Sequence, residues 1–170
     1  EQQNLAVIPT KNIEAYKLFL EGRNEADKRS KEGLAKSILL YKEAIALDPD
    51  YALAYAEVAN SVYLETYYSR RNPVEASSTA KEYLKKASQI NDKVSRIYSV
   101  KGLINNIEGN REEAEKAFIK AIQLSPNDLT ARHQYATFFL YSGEHEKQLE
   151  QAEIAYRLDP LSFSTTNSYF

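Results

Sequence analysis

Few residues of this 170-residue chain are of the types that carry out catalysis or bind metals. His133 and His145 are the only histidines, and their separation is unlike the short spacing of zinc ligands. The chain has no cysteine, which removes thiolate metal ligands, disulfides and a cysteine nucleophile. The neighbouring carboxylates Glu112 and Glu113 lie in a stretch rich in lysine and arginine, so nothing indicates a desolvated pocket that would tune an acid or base. We therefore predict no catalytic residue, no metal site, no cofactor and no enzymatic activity.

The charge pattern argues against nucleic-acid and membrane partners. The 22 lysines and arginines nearly balance the 24 aspartates and glutamates, and no basic stripe is present. No apolar run approaches the ~20 residues that cross a bilayer. Because a cysteine-free domain can function on either side of a membrane, the compartment stays open, with the cytoplasm favoured over the periplasm. The chain begins at Glu1 and contains no methionine, so we expect a fragment of a longer protein.

A repeated pattern organises most of the chain. Its fullest form runs Gly109-x4-Ala114-x3-Phe118-x2-Ala121-x4-Pro126. Small residues let two helices approach closely, the glycine can end a helix in the left-handed conformation, and the proline stops the second helix. Anchors recur at steps of 43, 34 and 34 residues, at Ala44, Ala87, Ala121 and Ala155 and at Pro49, Asp92, Pro126 and Pro160. The pattern predicts an all-α fold, a right-handed α-solenoid of about four antiparallel helical hairpins plus the start of a fifth.

The predicted segments follow from these anchors. They are a lead-in over 1–10, repeats over about 11–50, 51–92, 93–126 and 127–160, and a truncated further helix over 161–170. The 43-residue step implies nine extra residues in the second hairpin, expected as a lengthened helix and loop around Tyr67 to Asn72. Asn12 and Asn72 are expected to cap helices, and Asn110 with Glu113 to form a capping pair.

The spacing resembles that of the tetratricopeptide repeat over nearly the whole chain. Two segments, Pro9 to Arg23 and Ala46 to Ala56, are similar to the repeat region attached to bacterial adenylate cyclases and winged-helix transcriptional regulators. The resemblance implies a regulatory module that lies beside a signalling or DNA-binding domain. Its function would be to bind a protein or peptide partner.

In arrays of this kind, the first helix of each hairpin lines the concave side. We predict that a peptide or partner helix binds there, although a solvated face is the simpler reading of any single position. The positions that this alignment turns outward are Tyr16, Phe19, Arg23, Asn60, Tyr63, Arg96, Ser99, Leu103, Asn106, His133, Thr137 and Tyr141. A chaperone-type clamp for a terminal carboxylate fits poorly, because Phe19, Arg23 and Glu57 stand where lysine and asparagines would be needed.

A second hypothesis is self-assembly. The chain would then form a homodimer through its C-terminal end, where Phe163, Tyr169 and Phe170 require cover, or through the insertion from Tyr67 to Pro73.

Overall fold

In a computed structural model, the described residues, 10–159, form eight α-helices and no strand. Residues 1–9 of the expected lead-in over 1–10, and the expected further helix over 161–170, lie outside them. None of the described helices is both long and apolar enough to span a bilayer. The helices are α1 (Ile13–Asp27), α2 (Lys31–Leu47), α3 (Ala52–Tyr68), α4 (Pro73–Ile90), α5 (Ser95–Ile107), α6 (Arg111–Leu124), α7 (Leu129–Ser142) and α8 (His145–Leu158).

Polar side chains set the starts of several helices. The Asn12 side chain accepts hydrogen bonds from the backbone N–H groups that begin α1, and Asn72 does the same for α4, where Pro73 occupies the first turn. The expected capping pair at Asn110 is wrong, since its side chain makes no bond to the start of α6. Its side-chain amide nitrogen instead donates to the Glu108 carboxylate at 3.4 Å.

The predicted helical hairpins are confirmed, and the chain divides into two compact units, residues 1–92 and 93–170. In the first unit, α1 packs against α2, α2 against α3, and α3 against α4. In the second unit, α5 packs against α6 and α7 against α8, while α7 also contacts both α5 and α6. The first helices of the two hairpins are therefore neighbours in the second unit.

Aromatic side chains fill the cores of both units. In the first, Phe19 lies between Tyr41 and Tyr51, with ring centroids 5.5 and 5.1 Å away. In the second, one cluster consists of Ala114, Phe118, Tyr135, Phe138 and Phe139. The repeat anchors thus act through packing, as the pattern predicted.

The nine extra residues of the second hairpin are distributed between its two helices and the connection. α3 has 17 residues where α5 has 13, and α4 has 18 where α6 has 14. The connection, 69–72, is one residue longer than its counterpart, 108–110. Each helix therefore gains about one turn. The expected lengthening of α3 and of the loop after it is confirmed, whereas the extra turn of α4 was not predicted.

Candidate functional site

The first unit exposes part of the predicted face of α1. Tyr16 is half-buried and Arg23 is exposed, and their separation of seven residues places them on one side of the helix. Phe19, between them, is buried in the core instead of facing outward. This part of the prediction is corrected, because the Phe19 ring is held by two tyrosine rings of the same unit.

Tyr51, immediately before α3, is a polar core residue that the sequence did not single out. Its side chain is fully buried, and its hydroxyl has no hydrogen-bond partner among residues 10–159. Burial raises the pKa of this hydroxyl, Tyr16 and Asp48 add to the rise, and Arg23 opposes it. The hydroxyl therefore stays protonated and lies within electrostatic reach of Tyr16 and Arg23.

Thr10, the last residue of the lead-in, is hydrogen-bonded to the turn that precedes Tyr51. The Thr10 hydroxyl, which is buried, donates to the Asp48 carboxylate in the turn after α2. The Asn12 amide donates to the Leu47 carbonyl at 3.1 Å. These bonds fix the point at which the chain enters the first hairpin.

Two predicted residues of α3 do not face solvent. Asn60 and Tyr63 are buried, and the Tyr63 hydroxyl is hydrogen-bonded to that of Tyr67 at 2.9 Å. Their rings are 5.5 Å apart in an edge-to-face arrangement. The exposed aromatic residues of this region are Tyr67 and Tyr68, at the end of the lengthened helix.

The predicted residues on α5 differ among themselves. Ser99 is buried and its hydroxyl donates to the Arg96 carbonyl at 3.2 Å, so it supports the helix and does not reach the surface. Arg96, Leu103 and Asn106 are half-buried. Only these three can offer atoms to a partner without a change in the helix.

On α7, the predicted residues lie along one open side. His133 and Thr137 are half-buried, and the Thr137 hydroxyl donates to the His133 carbonyl at 2.8 Å. Tyr141, one turn further, is 81% exposed. Ile107, which the prediction omitted, occupies on α5 the position that corresponds to Tyr141 and is also exposed. The 34-residue step could have found it.

A separate concavity lies on the first unit, away from the predicted residues. It is shallow, with a volume of about 650 Å³. It is lined by Pro49, Asp50, Tyr55, Lys86, Gln89 and Ile90. The Tyr55 ring pairs with the Tyr83 ring, with centroids 6.3 Å apart. The Lys42 ammonium lies over the Tyr83 ring, 5.9 Å from its centroid.

Residues 10–159 bring no three histidine, aspartate or glutamate side chains together in a way that could hold a metal ion. Within this range, the His145 ring lies 3.5 Å from the Gln148 side-chain oxygen.

The family model of the tetratricopeptide repeat matches residues 95–128, which are α5, α6 and the turn after them. A solved structure of a thermophilic tetratricopeptide protein from Thermus thermophilus is 19% identical and superposes with a TM-score of 0.75 over 91% of this chain and 79% of that one. This chain has the tetratricopeptide repeat fold. The structure of MamA is also similar, with 18% identity and a TM-score of 0.54 over 86% of this chain and 78% of that one.

Sequence relatives of this chain include a larger protein. The transcriptional regulator HilA of Salmonella paratyphi A is 22% identical over 149 residues, which are 88% of this chain and 27% of the regulator. The HilA of Salmonella typhimurium matches at the same identity. The chain thus spans about a quarter of the length of these curated relatives.

Proposed function

We propose that this chain is a protein-interaction module that binds a peptide or a partner helix on the face formed by α5 and α7. The observation that carries the proposal is the pair Ile107 and Tyr141, exposed at corresponding positions of two helices that pack directly together. Asn106 directly precedes Ile107 and Thr137 lies one turn before Tyr141, and both are half-buried. Apolar and aromatic groups are thus flanked by amide and hydroxyl groups.

This combination is suited to a protein partner. A tyrosine supplies a large contact area while losing little side-chain freedom, and exposed aromatic residues are enriched among the residues that dominate binding energy. The Asn106 amide can both donate to and accept from a peptide backbone. An extended or helical segment could therefore place an apolar group on Ile107 and Tyr141 while its polar atoms are satisfied at the rim.

The first unit offers a more polar patch of its own. Tyr16 and Arg23 lie on one side of α1, within electrostatic reach of the buried hydroxyl of Tyr51. We propose it as an additional contact region, in which the Arg23 guanidinium can form paired hydrogen bonds with a carboxylate. Its role is binding without catalysis.

The regulatory setting is also a proposal. Similarity to a stretch covering about a quarter of HilA supports a module within a larger bacterial regulatory protein. The resemblance of Pro9 to Arg23 and Ala46 to Ala56 to regulator-linked repeats supports the same reading.

The test is selection of binders from a random displayed-peptide library, followed by fluorescence anisotropy with the selected peptides. We expect Tyr141→Ala to weaken binding about tenfold, as is common for a central aromatic contact. The matched control is Leu39→Ala, because Leu39 is a large, well-exposed apolar residue on α2, outside this face. Peptides whose affinity is unchanged by Tyr141→Ala, Ile107→Ala and Asn106→Ala would show that this face is not the binding site.

Self-assembly is the second candidate. Tyr67 and Tyr68 are exposed at the end of α3, and the adjoining connection is held by ion pairs of Arg71 with Glu65 and Glu75. A preorganised aromatic surface of this kind could pair with a second copy. Sedimentation equilibrium tests this candidate. A dimer that is lost in the double variant Tyr67→Ser, Tyr68→Ser would favour self-assembly, whereas a monomer at high concentration would exclude it.

A further inference from the structure

The shallow concavity on the first unit is an open groove with a volume of about 650 Å³. Its lining comes from the turn after α2, the first turn of α3 and the last two turns of α4. We call it the Tyr55 groove, and its residues are Pro49, Asp50, Tyr55, Lys86, Gln89 and Ile90. Pockets that hold ligands have volumes of about 300–1,000 Å³, so a short stretch of a partner fits this groove.

The corresponding place in the second unit is bridged by a side chain of that unit. The repeat steps carry Tyr55 to Arg132 and Tyr83 to Gln151. The Arg132 guanidinium donates to the Pro126 carbonyl at 2.8 Å and to the Gln151 side-chain oxygen at 3.1 Å. The first unit has two tyrosines at these positions, with ring centroids 6.3 Å apart, and the space beside them stays open.

The aromatic part of the Tyr55 groove suits a proline. Tyr55 and Tyr83 are half-buried, and Tyr55 shares the groove with Pro49. Grooves lined by aromatic residues bind proline-rich segments, because such segments are extended before they bind and lose little conformational freedom.

The groove also supplies hydrogen-bond donors, which a proline-rich segment requires because its carbonyls are free and its prolines have no N–H. Burial raises the pKa of the Tyr55 hydroxyl, and Asp50 and Tyr83 add to the rise. The hydroxyl is therefore protonated at neutral pH and can donate to a peptide carbonyl. The exposed amide of Gln89 can do the same.

The charges at the groove favour an acidic ligand. Lys86 is exposed in the lining, and the Lys42 ammonium lies over the Tyr83 ring, 5.9 Å from its centroid. Asp50 is the one acidic residue of the lining, so two positive charges face one negative charge. Because an ammonium already lies over the Tyr83 ring, a cationic ligand would meet repulsion there.

We propose that the Tyr55 groove binds an acidic, proline-containing peptide segment of a partner protein. A proline packs against the rings of Tyr55 and Tyr83, and a carboxylate lies beside Lys42 and Lys86. This site is in the first unit, whereas the proposed binding face of α5 and α7 is in the second, so each can be lost without the other.

Fluorescence anisotropy of the 170-residue chain with three fluorescein-labelled peptides tests the site. The peptides consist of Pro-Pro-Glu repeats, Pro-Pro-Lys repeats with the opposite charge, and Gly-Ser-Glu repeats without proline. We expect the Pro-Pro-Glu peptide to bind about tenfold more tightly than either of the others, because only this peptide offers both the proline surface and the carboxylates.

Two variants locate the binding. The double variant Lys42→Ala, Lys86→Ala should weaken binding of the Pro-Pro-Glu peptide about tenfold, and Tyr83→Ala should do so to a similar extent, about tenfold. The matched controls are Lys120→Ala, at the exposed counterpart of Lys86 on α6, and Tyr156→Ala, at an exposed tyrosine of α8. Circular dichroism confirms that each variant keeps its helices.

Equal affinity for the three peptides would overturn the proposal, as would no binding at millimolar peptide. Binding that the lysine double variant and Tyr83→Ala leave unchanged would also overturn it. If Tyr141→Ala removes the binding while Tyr83→Ala retains it, the peptide belongs to the face of α5 and α7, which supports the proposed function and rejects the Tyr55 groove.

Discussion

Gly102 on α5 lies directly against the ring of Phe118 on α6. A Cβ at residue 102 would come within 2.7 Å of Cε1 and Cζ of that ring, closer than real carbon contacts allow. The same relationship recurs in the first hairpin, where a Cβ at Gly22 would come within 2.7 Å of the Tyr41 ring. Each pair combines an absent side chain with a large one, which sets the distance between the two helices of its hairpin.

Gly102→Ala should therefore destabilise the protein, although alanine is the better helix former by about 1 kcal/mol. Overpacking of a filled core costs about 1–3 kcal/mol, and the Phe118 ring that the new methyl group would meet is fully buried. Chemical denaturation of Gly102→Ala, Phe118→Leu and the double variant measures the effect. The smaller leucine should relieve part of the clash, so the double variant should lose less unfolding free energy than the two single variants lose together. A loss equal to their sum would contradict this account.

Arg71 fixes the lengthened hairpin through three side-chain contacts. Its guanidinium donates to Glu65 at 2.7 Å, Glu75 at 3.2 Å and Thr79 at 3.3 Å, and its side chain is only 25% exposed. We expect Arg71→Ala to lower the free energy of unfolding by about 1–2 kcal/mol, since hydrogen bonds to a charged, partly buried group stabilise a protein more than ion pairs at the surface do. Urea denaturation provides the measurement.

Arg70→Ala is the matched control, because Arg70 is exposed and adjacent. Arg71→Lys should recover only part of the loss, since an ammonium group cannot form the same fork of bonds. Equal stability of Arg71→Ala and Arg70→Ala would show that the network does not stabilise the connection.

Glu25 should make the first hairpin sensitive to acid. Its carboxylate bonds Lys28 at 2.7 Å and Lys36 at 2.8 Å, and these bonds, the first of them most, hold its pKa below the ordinary value. A depressed carboxyl pKa contributes stability that is fully present above the unfolded-state pKa and is lost as the pH falls through the folded-state pKa.

Glu25→Gln should therefore lower the melting temperature at neutral pH and low salt, and the difference from the parent should vanish in acid. Glu153→Gln serves as the control, because its pair with Arg157 lies within one turn of α8 and is well exposed. If the melting temperature of Glu25→Gln stays equally far below that of the parent at pH values under the folded-state pKa, glutamine acts by disturbing packing and not by removing a charge.

The sequence predicted the hairpins because their anchors are steric and local. Gly102, Phe118 and the cap at Asn72 each act within one hairpin, where a short connection limits the geometry. It did not predict the burial of Asn60 or Ser99, since helical periodicity gives the direction of a side chain but not how far a neighbouring element extends over it. It also missed Ile107, because an apolar residue at a helix end is consistent with either core or surface.

A buried hydroxyl pair at the contact between α2 and α3 gives the last prediction. Ser37 and Ser61 are fully buried, their hydroxyl oxygens are 2.9 Å apart, and Ser37 also donates to the Leu34 carbonyl at 2.8 Å. Ser37 is the donor within the pair, and its single hydroxyl proton is shared between Ser61 and the Leu34 carbonyl. Ser37→Ala removes the donor to the Ser61 hydroxyl and should cost about 1–2 kcal/mol, whereas adding Ser61→Ala should recover most of it, since no buried hydroxyl is then left unpaired. A double variant less stable than Ser37→Ala alone would show that the pair itself holds the two helices together.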